Sequence, residues 1–344
     1  MPEPESQTQP GAGAAEPGSS WLALGLLAGL GVLVGALALE LAARLVYTRP
    51  WIDELGAAQA LTTRADYRQN RLGLRDDDFA SPKPAGLRRL LVLGDSFTFG
   101  LGVRDDAAPF PEQLERRLAP LARRAGHAGL EVHNGGIPGS LTGDWVALFD
   151  RAAPALEPDA LLIVFFLRDG TRTGSIPDFF GEVHAEITLR NRASRLYQLS
   201  FLYRWIRDGR DRLEVASRYT QRFRDAYFGS ESDTSEWRAA QANLRALRDR
   251  ARARGIPAGL ALFPVLVNLD GEYPFESIGA LLADFARESR IPVLDLLEAF
   301  RGRRDAELWV SSTDQHPNAE GHRVAAEALA PFAAELLQLP AGAG

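Results

Sequence analysis

Ser96 sits in Gly94-Asp95-Ser96-Phe97-Thr98-Phe99-Gly100, directly after the apolar run Leu90-Leu91-Val92-Leu93. A serine in a glycine-flanked turn at the end of a short buried strand is where an α/β fold exposes a nucleophile. Far along the chain, Asp314-Gln315-His316-Pro317-Asn318 supplies an acid and an imidazole. Nucleophile, base and orienting acid are the parts that acyl transfer requires. Each fragment alone has a plain structural explanation. Ser96 and Asp314 are both helix-capping types, and His316 and His322 can serve as satisfied hydrogen bonders. His127, His133 and His184 read as surface or packing residues. The spacing of His, Asp and Glu suggests no metal site.

The elements that must position these residues alternate from Arg88 onward. Short apolar strands fall at 89–94, 130–133, 160–167, 258–263 and 291–294. Helices are expected at 110–118, 143–156, 235–254, 278–289 and 319–337. Continuous apolar strands separated by helices indicate a parallel sheet covered on both faces, whose sites lie at the C-terminal strand ends. Ser96 falls at such an end. Residues 170–230 break the rhythm and read as an inserted helical cap. Within it, Phe179, Phe180, Tyr197 and Trp205 either line an apolar acyl pocket or bury the insert against the main domain. The earlier Asn70-Arg71-Leu72-Gly73-Leu74-Arg75 and Pro82-Lys83-Pro84 stretches read as punctuation rather than core.

The N-terminus is a separate object. Residues 2–20 are too poor in large apolar side chains to order themselves. Trp21 then opens an uncharged run through Leu39, about the length of a bilayer-spanning helix. Arg44, Arg49 and Arg64 follow it while no Lys or Arg precedes it, so charge alone favours a cytoplasmic C-terminal side. The missing basic n-region argues against a cleaved signal peptide. The resulting division is a tail at 1–20, a membrane helix and juxtamembrane start at 21–47 and a connector at 48–87. The main domain follows at 88–337, then a C-terminal tail at 338–344. A net charge of −6 without a basic stripe argues against nucleic acid as a partner. The absence of cysteine excludes disulfides, thiolate metal sites and cysteine nucleophiles.

These motifs resemble those of the SGNH (GDSL-type) hydrolases over roughly residues 68–337. The resemblance implies a flavodoxin-like three-layer α/β/α sandwich with a central parallel sheet, and no cofactor. Gly94-Asp95-Ser96 matches the family's first block, with Ser96 at the nucleophile. Asn134-Gly135-Gly136-Ile137-Pro138-Gly139 resembles the second, with Gly139 at the oxyanion donor. His316 matches the catalytic base. The third block normally ends in Asn-Asp, and here Arg168 and Asp169 hold those positions. Arginine can donate to an oxyanion or grip an anion, but it is longer than asparagine. The family's acid usually stands three residues before the histidine, where this chain has Thr313. Asp314, two residues before, is the acid available. The membrane helix, the Glu40–Arg44 pair and the Asn70–Arg75 segment resemble a membrane-anchored bacterial branch whose domain is usually extracytoplasmic. That placement opposes the charge count.

The expected activity is that of a single-pass, membrane-anchored serine esterase using Ser96, His316 and Asp314. The Ser96 and Gly139 amides and Arg168 would form its oxyanion hole. The substrate is expected to be an acyl or acetyl ester of a carbohydrate or lipid, including cell-envelope glycan. An O-acyltransferase on cell-envelope polysaccharide is the alternative, as is a degenerate carbohydrate-binding module; Arg168 is the residue that separates them.

Overall fold

The computed structural model describes residues 18–47, 67–171, 176–311 and 314–340. Thr313, most of the N-terminal tail and much of the connector lie outside the described residues, as do the side chains of Phe179 and Phe180. In chain order the helices are α1 (Gly18–Val46), α2 (Ser96–Phe99), α3 (Phe110–Arg124), α4 (Thr142–Leu156), α5 (Ile176–Ala193) and α6 (Arg195–Leu199). They continue as α7 (Phe201–Phe228), α8 (Ser235–Ala253), α9 (Glu276–Glu288), α10 (Leu297–Phe300) and α11 (Ala319–Leu336). The strands are β1 (Leu87–Gly94), β2 (Gly129–Gly136), β3 (Ala160–Phe166), β4 (Ala258–Phe263), β5 (Val293–Asp295), β6 (Trp309–Ser311) and β7 (Asp314–Pro317).

The chain divides into two compact units, Met1–Pro50 with Leu189–Arg210, and Trp51–Thr188 with Asp211–Gly344. In the larger unit, five parallel strands run in the order β2-β1-β3-β4-β5. This is the flavodoxin-like order, with its switch point between β1 and β3. The sequence explains the burial. β3 reads Ala-Leu-Leu-Ile-Val-Phe-Phe and is buried at every position, as a strand covered on both faces must be. Helix α3 turns Leu114, Leu118 and Ala122 inward at intervals of four, one stripe of a 3.6-residue helix. It packs against α11, while α4 packs against α8.

Segment 70–75 departs from its reading as punctuation. Leu74 is buried in the core and Arg75 is 2% exposed. Too short and polar to show a period, the segment nevertheless inserts one apolar side chain and one cation. Arg75 donates to the carbonyls of Phe99, Gly100 and Val103 at 3.2, 2.7 and 2.7 Å and pairs with Asp106. It therefore closes the C-terminal end of α2.

The smaller unit is built on α1. Its Trp21–Val46 stretch is long and apolar enough, by length and composition, to cross a bilayer. Trp205, in α7, is 63% exposed. Tyr197 is buried instead by a hydrogen-bonded cluster with Asp208 and Tyr47.

Candidate active site

The register between β1 and β2 pairs Gly94 with Gly136, so the two strands end level. Helix α2 starts there and lies tightly against both ends. A Cβ on Gly136 would come within 2.1 Å of the Phe99 backbone nitrogen, and one on Gly94 within 2.1 Å of Thr98 Oγ1. Glycine at these two positions is what allows the helix to approach. Asp95, not Ser96, caps it: the carboxylate accepts from the Phe97 amide at 2.8 Å. The serine hydroxyl is thereby released from capping.

The C-terminal residues arrive from the opposite end of the sequence. β6 and β7 form an antiparallel hairpin, and Asp314 and His316 stand two apart on β7. Alternate residues of a strand share a face. Asp314 Oδ1 consequently lies 2.6 Å from His316 Nδ1, and His316 Nε2 lies 3.0 Å from Ser96 Oγ. The network assigns a proton to Nδ1, donated to the carboxylate, and leaves Nε2 to accept from the serine. Ser96 and Asp314 are nearly buried, while the imidazole keeps 22% of its side chain exposed and rests near the Phe97 ring. Asn318, not Asp314, caps α11 by accepting from the Glu320 and Gly321 amides. Asp314 is free to hold the histidine.

The second motif forms the turn beside Ser96. The buried Asn134 accepts from the Gly136 amide at 3.0 Å, and Ile137 donates back to the Gly94 carbonyl. Gly139 follows at φ +79°, a left-handed position suited to glycine. Neither the Ser96 nor the Gly139 amide has an acceptor in the protein among the described residues.

Arg168 follows β3 across the switch point from Ser96. Its Nη2 donates to Asp95 Oδ2 at 3.2 Å, to the Ser140 carbonyl at 3.0 Å and to Asp169 Oδ1 at 3.3 Å. Burial opposes the guanidinium charge, but the two carboxylates outweigh it and raise its pKa. Asp169 is fully buried; burial first, then the charge of Asp95, raise its pKa well above the carboxylate range. Arg168 and the Phe166 amide, which donates to it at 2.7 Å, work the other way.

Two further residues border the site. Arg75 braces α2 from its far end, as described above. Its neighbour His322 is fully buried, accepts from the Phe110 amide at 3.2 Å and is pushed down to about 3 by burial, then by Arg75 and His316. It stays neutral. His133, read as a packing residue, is buried and bonded to Asp76 at 2.7 Å. Among the described residues no cluster of His, Asp or Glu is arranged to hold a metal ion.

Among solved structures, TesA is 18% identical with a TM-score of 0.44, over 72% of this chain and 99% of its own. An acetyl xylan esterase from Geobacillus stearothermophilus is 17% identical with a TM-score of 0.43, over 75% of this chain and 97% of its own. No curated protein matches in sequence. The model of the GDSL-like lipase/acylhydrolase family matches residues 92–324, a span that takes in Ser96, Gly139, Arg168, Asp314 and His316. With that match over most of its length and a five-stranded parallel sheet beneath the site, this chain belongs to the GDSL-like lipase/acylhydrolase family, whose chemistry is ester hydrolysis.

Proposed function

We propose that the protein is a membrane-anchored serine esterase in which Ser96 is the nucleophile, His316 the general base and Asp314 the orienting acid. The observation that carries this reading is the continuous chain of Ser96 Oγ, His316 and Asp314 at 3.0 and 2.6 Å. Three side chains from the two ends of the domain meet in the order and contact that nucleophilic catalysis needs.

In the first step the Ser96 oxygen attacks the ester carbonyl while its proton passes to His316 Nε2. The carbonyl electron pair moves onto oxygen, and the Ser96 and Gly139 amides stabilise the resulting anion. Collapse breaks the bond to the alcohol, which leaves with the proton from His316. Water repeats the sequence on the acyl-enzyme and releases the carboxylic acid. Asp314 keeps its proton partner on Nδ1 throughout and compensates the imidazolium charge. Arg168 adds positive potential beside Ser96, and with Nη2 engaged by three acceptors its Nε–H and Nη1–H groups are the donors left for an oxyanion.

The substrate we propose is an acyl or acetyl ester of a carbohydrate or lipid, with cell-envelope glycan included in that class. The anchor is the uncharged Trp21–Leu39 run, and the domain is assigned to the extracytoplasmic side. The test is hydrolysis of a short-chain activated ester by the full chain in detergent. Ser96→Ala and His316→Ala should each cut the rate by about 10³-fold or more. Variants as fast as the wild type would refute the assignment.

A further inference from the structure

We propose that α6 and the first turns of α7 form a second membrane contact, lying in the headgroup boundary of the bilayer that α1 crosses. This rests on reading α1 as a membrane helix, and it adds a surface to it. The depth follows from arithmetic and one carboxylate. Trp21 to Leu39 is 19 residues, about 28 Å at the rise of an α-helix, close to the thickness of the hydrocarbon core. Glu40, the first charged residue after the run, emerges at its edge.

Glu40 does not end in solvent. Its carboxylate accepts from the amides of Phe201 and Leu202 at 2.8 and 3.1 Å and from the Ser200 hydroxyl at 2.7 Å. A helix start carries unsatisfied amides and favours a negative charge. Here the charge that supplies α7 comes from 161 residues earlier in the chain. Arg44, one turn on, donates to the Leu199 carbonyl at 3.4 Å and lies over the Phe201 ring. Tyr47 donates to Asp208 at 2.7 Å. Residues 199–208 are thus tied to the end of α1 at three levels, and the depth of α1 fixes theirs.

The surface so placed has the composition of a lipid interface. Leu189, Leu196, Leu199, Trp205 and Ile206 are all exposed, although each is large and apolar. Between Leu189 and Arg210 there are six arginines and one acid, Asp208. That acid is buried and bonded to Tyr47 and Tyr197. Arg192, Arg195 and Arg210 are exposed. Apolar and tryptophan side chains beside arginines suit the acyl–headgroup boundary of an anionic bilayer. Continuity with α1 and this charge favour lipid over a second protein.

The chain has no cysteine, so single cysteines can be placed for spin labelling. Leu30→Cys, Leu199→Cys, Trp205→Cys and, on the exposed surface of α8, Arg252→Cys would be labelled in the full chain. Each would be reconstituted in vesicles of phosphatidylcholine and phosphatidylglycerol. Accessibility to oxygen and to a water-soluble nickel chelate reports depth. The Leu30 label should be oxygen-accessible and shielded from nickel. Labels at Leu199 and Trp205 should be intermediate, and Arg252 fully open to nickel. If Leu30 is shielded while Leu199 and Trp205 are as open as Arg252, the anchor stands and the second contact is refuted. If Leu30 itself is open to nickel, the anchor reading fails and takes the proposal with it. Dipolar broadening at Leu199 without lipid protection would mark a second copy as the occupant and likewise overturn it.

Discussion

Arg168 engages three acceptors at the candidate site, and its bonds give it two tasks. It is held by Asp95, Asp169 and the Ser140 carbonyl, so it compensates two buried carboxylates. It also brings a cation to the strand end beside Ser96. Arg168→Ala should therefore cost about 3–5 kcal/mol of stability, the penalty of orphaning a buried charge. It should also cut turnover by about 10²-fold or more if the guanidinium donates to the oxyanion. The two effects separate in the double variant Arg168→Ala/Asp169→Asn, which also removes the buried carboxyl group that Arg168 holds. Melting temperature should recover in part while turnover stays low. Turnover that recovers together with stability would assign Arg168 a purely structural role. Asp314→Asn tests the orienting acid, because an amide cannot hold the required tautomer. A loss of about 10²–10⁴-fold is expected with little change in melting temperature.

Two short elements do the positioning. Helix α2 sits on glycines, and Gly136→Ala drives a methyl group against backbone that cannot yield. The expected result is a fall in melting temperature together with loss of ester hydrolysis, a destabilisation of about 1–3 kcal/mol or more. The same backbone at 94 and 136 was readable in the sequence, since glycine follows an apolar strand in both motifs. The hairpin of β6 and β7 was not. Asp-Gln-His-Pro has no apolar alternation, so nothing in it signals a strand. The acid stands one residue nearer the histidine than the resemblance implies, and in a strand that spacing puts both side chains on one face. Arg75 escaped for a related reason. Its role comes from three carbonyls some 25 residues away, and no local pattern encodes it. The long helices and the parallel strands were legible because periodicity and burial agree there, as in β3 and α3.

At the scale of the molecule, stability and site are linked through His322, on the helix that follows β7. Its pKa lies near 3 when folded, below the ordinary histidine value of 6.5 in the unfolded chain. Between those values the unfolded state binds the proton and the folded state does not. Stability is complete above about pH 6.5 and falls on acidification by up to about 1.4 kcal/mol per pH unit. His322→Asn retains an acceptor for the Phe110 amide and removes the titration. Its melting temperature should fall less steeply from pH 7 to pH 4 than that of the wild type. Parallel curves would show that another group controls the acid limb. For the anchor, the intact chain should stay in the membrane fraction through a carbonate wash, and recovery in the soluble fraction would exclude it.

The central claim is that Ser96 is a nucleophile activated by His316 and Asp314. Covalent labelling with a serine-reactive fluorophosphonate tests it most directly, because the reaction needs an activated hydroxyl and no knowledge of the substrate. The serine oxygen displaces fluoride at phosphorus, and the adduct is located by peptide mass spectrometry. The wild type should gain one adduct, on the peptide containing Ser96. Ser96→Ala should gain none, and His316→Ala should react at least about 10²-fold more slowly. A wild type that does not label, or a Ser96→Ala variant that labels at the wild-type rate, would contradict the account.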